Sequence, residues 1–250
     1  MRGMSIVLRR DFQEIRRTNA FRILVIVSAV VTIGIAAGTS IAFNKAAWLA
    51  LDSAKPILEF TMGLIIYFLT LFVLMAFIWV SASMPVTKEK VNGNIESLLA
   101  TPLGPKAIWM GKCLAIFLPA FAVCVVSTLI IMLAINLVAI LPATGYFFMP
   151  APVLLTGFIL NPLLFFGLLA FIILFSLANN PDIAIMPSFL LGFGLMLGIP
   201  VAVAVGAIDL ASWSFALWYL VGAIVIWIAV ICLARFLLTS EHIVLSSKGG

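Results

Sequence analysis

Charge is what this sequence has least of. Only 9% of its 250 residues are Asp, Glu, Lys or Arg, whereas a soluble domain carries roughly 25% to keep its surface compatible with water. With 65% of residues hydrophobic and a mean hydropathy of +1.30, most of the surface must face a solvent that is itself apolar, and the chain reads as an integral membrane protein. The segments of about ten residues alternating apolar and polar that mark a transmembrane β-barrel are missing too. Long unbroken apolar runs stand in their place and read as helices.

The residues that do chemistry are equally sparse. Cys113, Cys124 and Cys232 lie in or beside apolar runs with no CxxC pair and no ligand spacing, so they read as packing residues and say nothing of redox compartment. His242 is the only histidine, and no metal set assembles around it. Gly111–Lys112 ends like a phosphate loop, but Cys113 stands where Ser or Thr should hold magnesium and the glycine-rich approach is absent. Nothing pairs a nucleophile with a base. Nor does any span hold an unambiguous buried ionisable group: Glu59 edges the second run, Asp209 sits in an outer turn and Asp182 in an inner loop. Proton- or ion-coupled carriers usually need such groups along their path. No cofactor, no metal and no reaction of its own are expected.

Six apolar runs are present, 21–43, 60–83, 113–141, 153–177, 183–208 and 213–238. Each exceeds the roughly 20 residues that cross about 30 Å of hydrocarbon. The first is too long for a signal-peptide core of about 7–15 residues and is read as a retained span. An even number of spans puts both termini on one side. The segments sharing that side hold twelve Lys and Arg, and the opposite side holds only Lys45 and Lys55. This bias places both termini and the 84–112 segment in the cytoplasm of a multi-pass inner-membrane protein. The net charge of +5 therefore reads as orientation and contact with anionic lipid, not as a nucleic-acid surface.

Ahead of the first run, residues 1–20 put Met4, Leu8, Phe12 and Ile15 on one helical face and Arg9, Arg10, Gln13, Glu14, Arg16 and Arg17 on the rest. Either an interfacial helix turning into the membrane near Asn19 or a plain basic tail fits this pattern. Pro119, Pro162 and Pro200 fall inside spans as candidate hinges or gates, and ordinary membrane-helix composition accounts for them as well. Asn136, Thr128, Thr156 and Asn161 could line a path or simply bond helix to helix. Around Gly192, Gly194, Gly198 and Pro200, the fifth run is either a kinked full span or a shorter one ending near Ile199 with a re-entrant segment over 201–212.

The 84–112 stretch is the one sizeable polar segment between spans. Gly93 breaks it, Asn94 can cap a short helix through Leu99, and Thr101–Pro102 stops that helix. Ile95, Leu98 and Leu99 give it an apolar edge that suits either a docking plug for a soluble partner or an interfacial helix resting on lipid. The run Glu89, Lys90, Val91, Asn92, Gly93, Asn94, Ile95, Glu96, Ser97, Leu98, Leu99, Ala100, Thr101, Pro102 resembles the signature of the permease subunits of ABC-2 type transporters. That signature is a glutamate, three residues, a glycine, then Thr-Leu/Ile-Glu-x-Leu-Leu-x-Thr-Pro, and only Asn94 departs from it. Weaker echoes are Arg10–Asp11 with Glu14 to Arg17, and Ser176 to Asn180 followed by Pro181, Asp182 and Ala184.

The resemblance implies an all-α polytopic fold of six transmembrane helices with an N-terminal interfacial helix and a cytoplasmic coupling segment between spans two and three. It implies that Glu89, Gly93, Asn94, Ile95, Glu96, Leu98, Leu99, Thr101 and Pro102 couple the chain to a separate ATP-binding cassette subunit. It further implies that a second permease, identical or homologous, completes the transporter, and that an outer re-entrant element precedes the last span. Few polar residues in the spans suit a hydrophobic or amphipathic exported substrate. A scaffold without a transport cycle and an ATP-independent carrier are the competing readings.

Overall fold

The computed structural model describes residues 2–44, 54–82, 104–178 and 181–238. Every regular element among them is helical. Helices α1 (Arg2–Arg17), α2 (Asn19–Asn44) and α3 (Ala54–Ala82) come first. Helix α4 runs Pro105–Ile135 and continues through a π turn, Asn136–Ile140, into Leu141–Thr144. Helix α5 is Ala151–Leu155, a π turn Thr156–Leu160, then Asn161–Ala178. Helix α6 is Pro181–Phe193, a π turn Gly194–Gly198, then Ile199–Ala204, and α7 is Trp213–Leu237. The six helices α2 to α7 are long and apolar enough to cross a membrane, and α1 is not.

Helix α4 packs against α1, α2, α3 and α5, and α5 packs in turn against α3, α6 and α7. The most enclosed helices are α3 and α5, while α2, α6 and α7 turn most of their surface outward. Lipid is as apolar as a leucine side chain, so close packing and hydrogen bonds, not the hydrophobic effect, hold such helices together. Gly157 shows how close they come: a Cβ there would meet Ile66 Cγ2 of α3 at 2.5 Å.

Several boundaries differ from the apolar runs. Helix α3 begins at Ala54, not at residue 60. Helix α4 begins at Pro105, with extended Gly104 as its N-cap and proline in the first turn, so 105–112 is helix and not part of the polar segment. Lys106 and Lys112 lower the hydropathy of these turns without breaking the helix. At the other end Gly145, at φ +77°, terminates the short Leu141–Thr144 helix in the left-handed conformation that glycine adopts without penalty.

The fifth run is continuous helix through the π turn at Gly194–Gly198 and ends at Ala204 rather than residue 208. Among the described residues, 205–212 forms a tight turn and no re-entrant helix. Gly206 takes φ +74°, Asp209 Oδ1 accepts from the Ala211 amide at 2.9 Å, and Ser212 caps α7 by accepting from the Phe215 amide. Leu210 folds inward from this turn against Gly63 of α3.

Candidate functional site

The nine residues singled out for coupling, Glu89 to Pro102, lie outside the described residues. What is described is the pair of helices entering and leaving that segment, α3 and α4, and α1, which docks on α4. Helix α1 buries Val7, Asp11 and Ile15, spaced four apart on one face, with Met4, Leu8 and Phe12 partly buried around them. Arg9, Arg10, Glu14, Arg16 and Arg17 are exposed, as the basic-face reading expects. The apolar face lies on α4, however, and is not turned outward. Gly111 permits the approach, since a Cβ there would stand 3.0 Å from Val7 and 3.2 Å from the Met4 carbonyl oxygen.

At the centre of this contact is a pair that the sequence reading passed over. Lys112 Nζ donates to Asp11 Oδ2 at 3.0 Å, with side chains only 3% and 9% exposed. The second oxygen, Oδ1, faces Arg10 Nε at 3.8 Å. Lys112 is thus a buried cation inside a membrane-length helix, which corrects the expectation that no span holds one. Burial of two charges is tolerated because each neutralises the other. The available signal was Asp11 itself: a carboxylate in the middle of an apolar helical stripe requires a partner. Thr18 then ends α1 and starts α2, donating to the Ile15 carbonyl at 2.7 Å and accepting from the Phe21 amide at 3.3 Å. The turn falls where Asn19 was expected to make it.

A second polar set occupies the bundle centre. Tyr219 of α7 donates to Asn161 Oδ1 at 2.6 Å, and Asn161 Nδ2 of α5 donates to Thr70 Oγ1 of α3 at 2.6 Å. Tyr67 of α3 donates to the Leu195 carbonyl of α6 at 3.2 Å, and Cys124 of α4 lies 3.8 Å from the Thr70 carbonyl. Five helices are tied by these contacts. Of the four polar residues flagged earlier, Asn161 bonds between helices. Thr128 and Thr156 bond within their own, to the carbonyls of Cys124 and Pro152. Asn136 pins the connection after α4 by accepting from the Phe148 amide at 2.7 Å.

The three π turns share one cause. Each ends two residues before a proline: Pro142, Pro162 and Pro200. Proline has no N–H and its ring clashes with the preceding turn, and widening that turn relieves the clash. The amides of Leu141 and Asn161 reach back to the carbonyls of Asn136 and Thr156 in the π pattern. In that pattern the carbonyl robbed of its donor by Pro200 is that of Leu195, and the Tyr67 hydroxyl supplies the missing bond. Of the three prolines named as candidate hinges, Pro162 and Pro200 have this setting, whereas Pro119 is buried within unbroken α-helix. Pro142 has it also and was missed.

Among the described residues no group of three or more His, Cys, Asp and Glu could hold a metal. Cys113 and Cys124 are buried and Cys232 is exposed on α7, all three as free thiols. The comparisons add the deciding observation: a family model described as an ABC-2 family transporter protein matches residues 7–195. The chain belongs to the ABC-2 transporter family. Comparison with curated proteins and with solved structures gives no significant match. The ABC-2 match begins at Val7, on the buried face of α1, and ends at Leu195, whose carbonyl the Tyr67 hydroxyl meets. It therefore takes in the docked helix, the whole 83–103 segment and the central polar set except Tyr219.

Proposed function

We propose that this ABC-2 chain is the transmembrane permease subunit of an ATP-driven exporter, with hydrolysis in a separate ATP-binding cassette subunit and a second permease, identical or homologous, beside it. Membership of the family is the observation that carries this reading, and the Glu89–Pro102 run gives it a docking element. The substrate is hydrophobic or amphipathic, in keeping with spans whose polar groups bond to one another. Both termini and the 84–112 segment face the cytoplasm, as the twelve-to-two distribution of Lys and Arg supports. The juxtamembrane arginines meet anionic lipid.

In this mechanism closure of the ATPase pair displaces the coupling segment. The two permease conformations must then bind the ATPase pair with different free energies, since otherwise no stroke could shift their balance. Helix α4 leaves the segment at Pro105 and holds α1 through Asp11–Lys112, and α1 leads through Thr18 into α2. That chain of contacts supports a path from the segment to the first span. Pro162 and Pro200, each behind a widened turn, are the proposed hinges.

Co-expression with a candidate ATP-binding cassette subunit tests the proposal. Glu89→Lys with Glu96→Lys should reduce both co-purification and stimulated ATPase activity. If both were unchanged, the assigned coupling role would fail. Undiminished function with a hydrolysis-dead partner would favour the scaffold instead, and substrate flux in liposomes holding this chain alone would favour the ATP-independent carrier.

A further inference from the structure

Between α2 and α4 lies an apolar groove of about 310 Å³. Its walls are Val25, Ala29 and Ile33 on α2 and Ala122, Val126 and Ile130 on α4, with Thr32 and Ser127 the only hydroxyls. It exists because alanines stand at 29 and 122 where larger side chains would fill the gap. Thr32 turns its hydroxyl back to the Ser28 carbonyl at 2.6 Å, so the wall offers a ligand almost nothing polar.

Arg22, Ala29 and Ile33 fall at helical spacing on one face of α2. Arg22 therefore lies on the groove's side of α2, nearer the helix N-terminus and about 10 Å along the axis from Ala29 at 1.5 Å per residue. Arg22 is exposed, and so are Arg16 and Arg17 at the end of α1 just before it. Of the described acidic groups in α1 and α2, Asp11 is taken by Lys112, which leaves Glu14 against this run of arginines.

We propose that this groove binds one anionic phospholipid, an acyl chain lying between α2 and α4 and the phosphate on Arg22. Charge complementarity selects the headgroup and shape selects the chain. The walls are almost wholly apolar and an exposed arginine stands beyond one end, so an occupant with a hydrocarbon chain and an anionic group matches both. The site requires no ATPase partner and stands independently of the transport reading.

Native mass spectrometry of the full-length chain, released from bilayers of equal phosphatidylglycerol and phosphatidylethanolamine, tests it. One phosphatidylglycerol should be retained per chain in preference to phosphatidylethanolamine. Arg22→Gln should cut that preference about fivefold, the effect of one basic residue at a membrane surface, and the exposed control Lys55→Gln should leave it intact. Ala29→Phe should empty the groove of lipid at unchanged oligomeric mass. A preference that survives both Arg22→Gln and Ala29→Phe overturns the proposal. So does a groove-filling variant that shifts the balance of monomer and dimer without changing lipid retention, because the occupant would then be a second copy.

Discussion

At the scale of single residues, the two polar sets differ in what they cost to disturb. The Asp11–Lys112 pair is nearly fully enclosed, so removing one partner takes from the other the closest opposite charge it has in a buried site. Asp11→Asn or Lys112→Met should lower stability by about 3–5 kcal/mol, read as a loss of melting temperature in detergent. Asp11→Leu with Lys112→Met, which removes both charges and keeps the volume, should recover most of that loss. The sequence made Asp11 conspicuous but not its partner, because a cation at the edge of an apolar run looks like the end of a span. Only the register of α1 on α4, set by the Val7–Gly111 contact, decides which basic residue it meets.

The central tyrosine acts at a different price, about 0.6 kcal/mol for a typical hydrogen bond between membrane helices and up to about 1.7. The worth of Tyr67 should also depend on Pro200 of the neighbouring helix α6. Tyr67→Phe should cost about that much in the wild type, where it leaves the Leu195 carbonyl bare. In a Pro200→Ala background the restored backbone amide can serve the freed turn, and the same change should cost close to nothing. A double-mutant cycle of thermal stability measures the difference. Equal costs in both backgrounds would mean that the tyrosine does not replace the proline's missing donor.

At the scale of elements, hydropathy located the helices far better than their ends. Six runs corresponded to six helices of spanning length, because lipid leaves a chain little alternative to apolar helix. The starts of α3 and α4 were misplaced because Lys55, Lys106 and Lys112 lower the hydropathy there without breaking a helix. The π turns were not legible at all. Pro119 and Pro187 share the local sequence signal with Pro142, Pro162 and Pro200, yet they sit in ordinary α-helix. At Pro200 a neighbouring helix offers the freed carbonyl a donor in Tyr67, a tertiary contact that no local pattern announces. Hydrogen exchange in nanodiscs should show faster exchange over 194–200 than over the buried turns around Pro119, with Pro200→Ala slowing the former selectively.

At the scale of the whole molecule, the asymmetry of charge supports the proposed orientation, and the family assignment supports the proposed division of labour. Reporters fused after residue 250 and before residue 2 should both be active only in the cytoplasm, and a cysteine introduced at Ser214 should react with an impermeant reagent added outside. The Glu89–Pro102 run, the proposed coupling element, was the most specific motif in the sequence, through its spacing of glycine, glutamates, leucines and Thr-Pro. The polar centre was the least legible, since its members come from five separate helices.

The central claim is that 89–102 carries the contact with the ATPase. A photo-crosslinking residue introduced in turn at Leu98, at Leu99 and, for comparison, at Leu217 on the outward face of α7 tests it in the membrane, with the ATP-binding cassette subunit co-expressed. Adducts with the ATPase from 98 and 99, changing in yield between ATP and ADP, and none from 217, are the predicted result. Absence of adducts from 98 and 99 while the complex still co-purifies would contradict it.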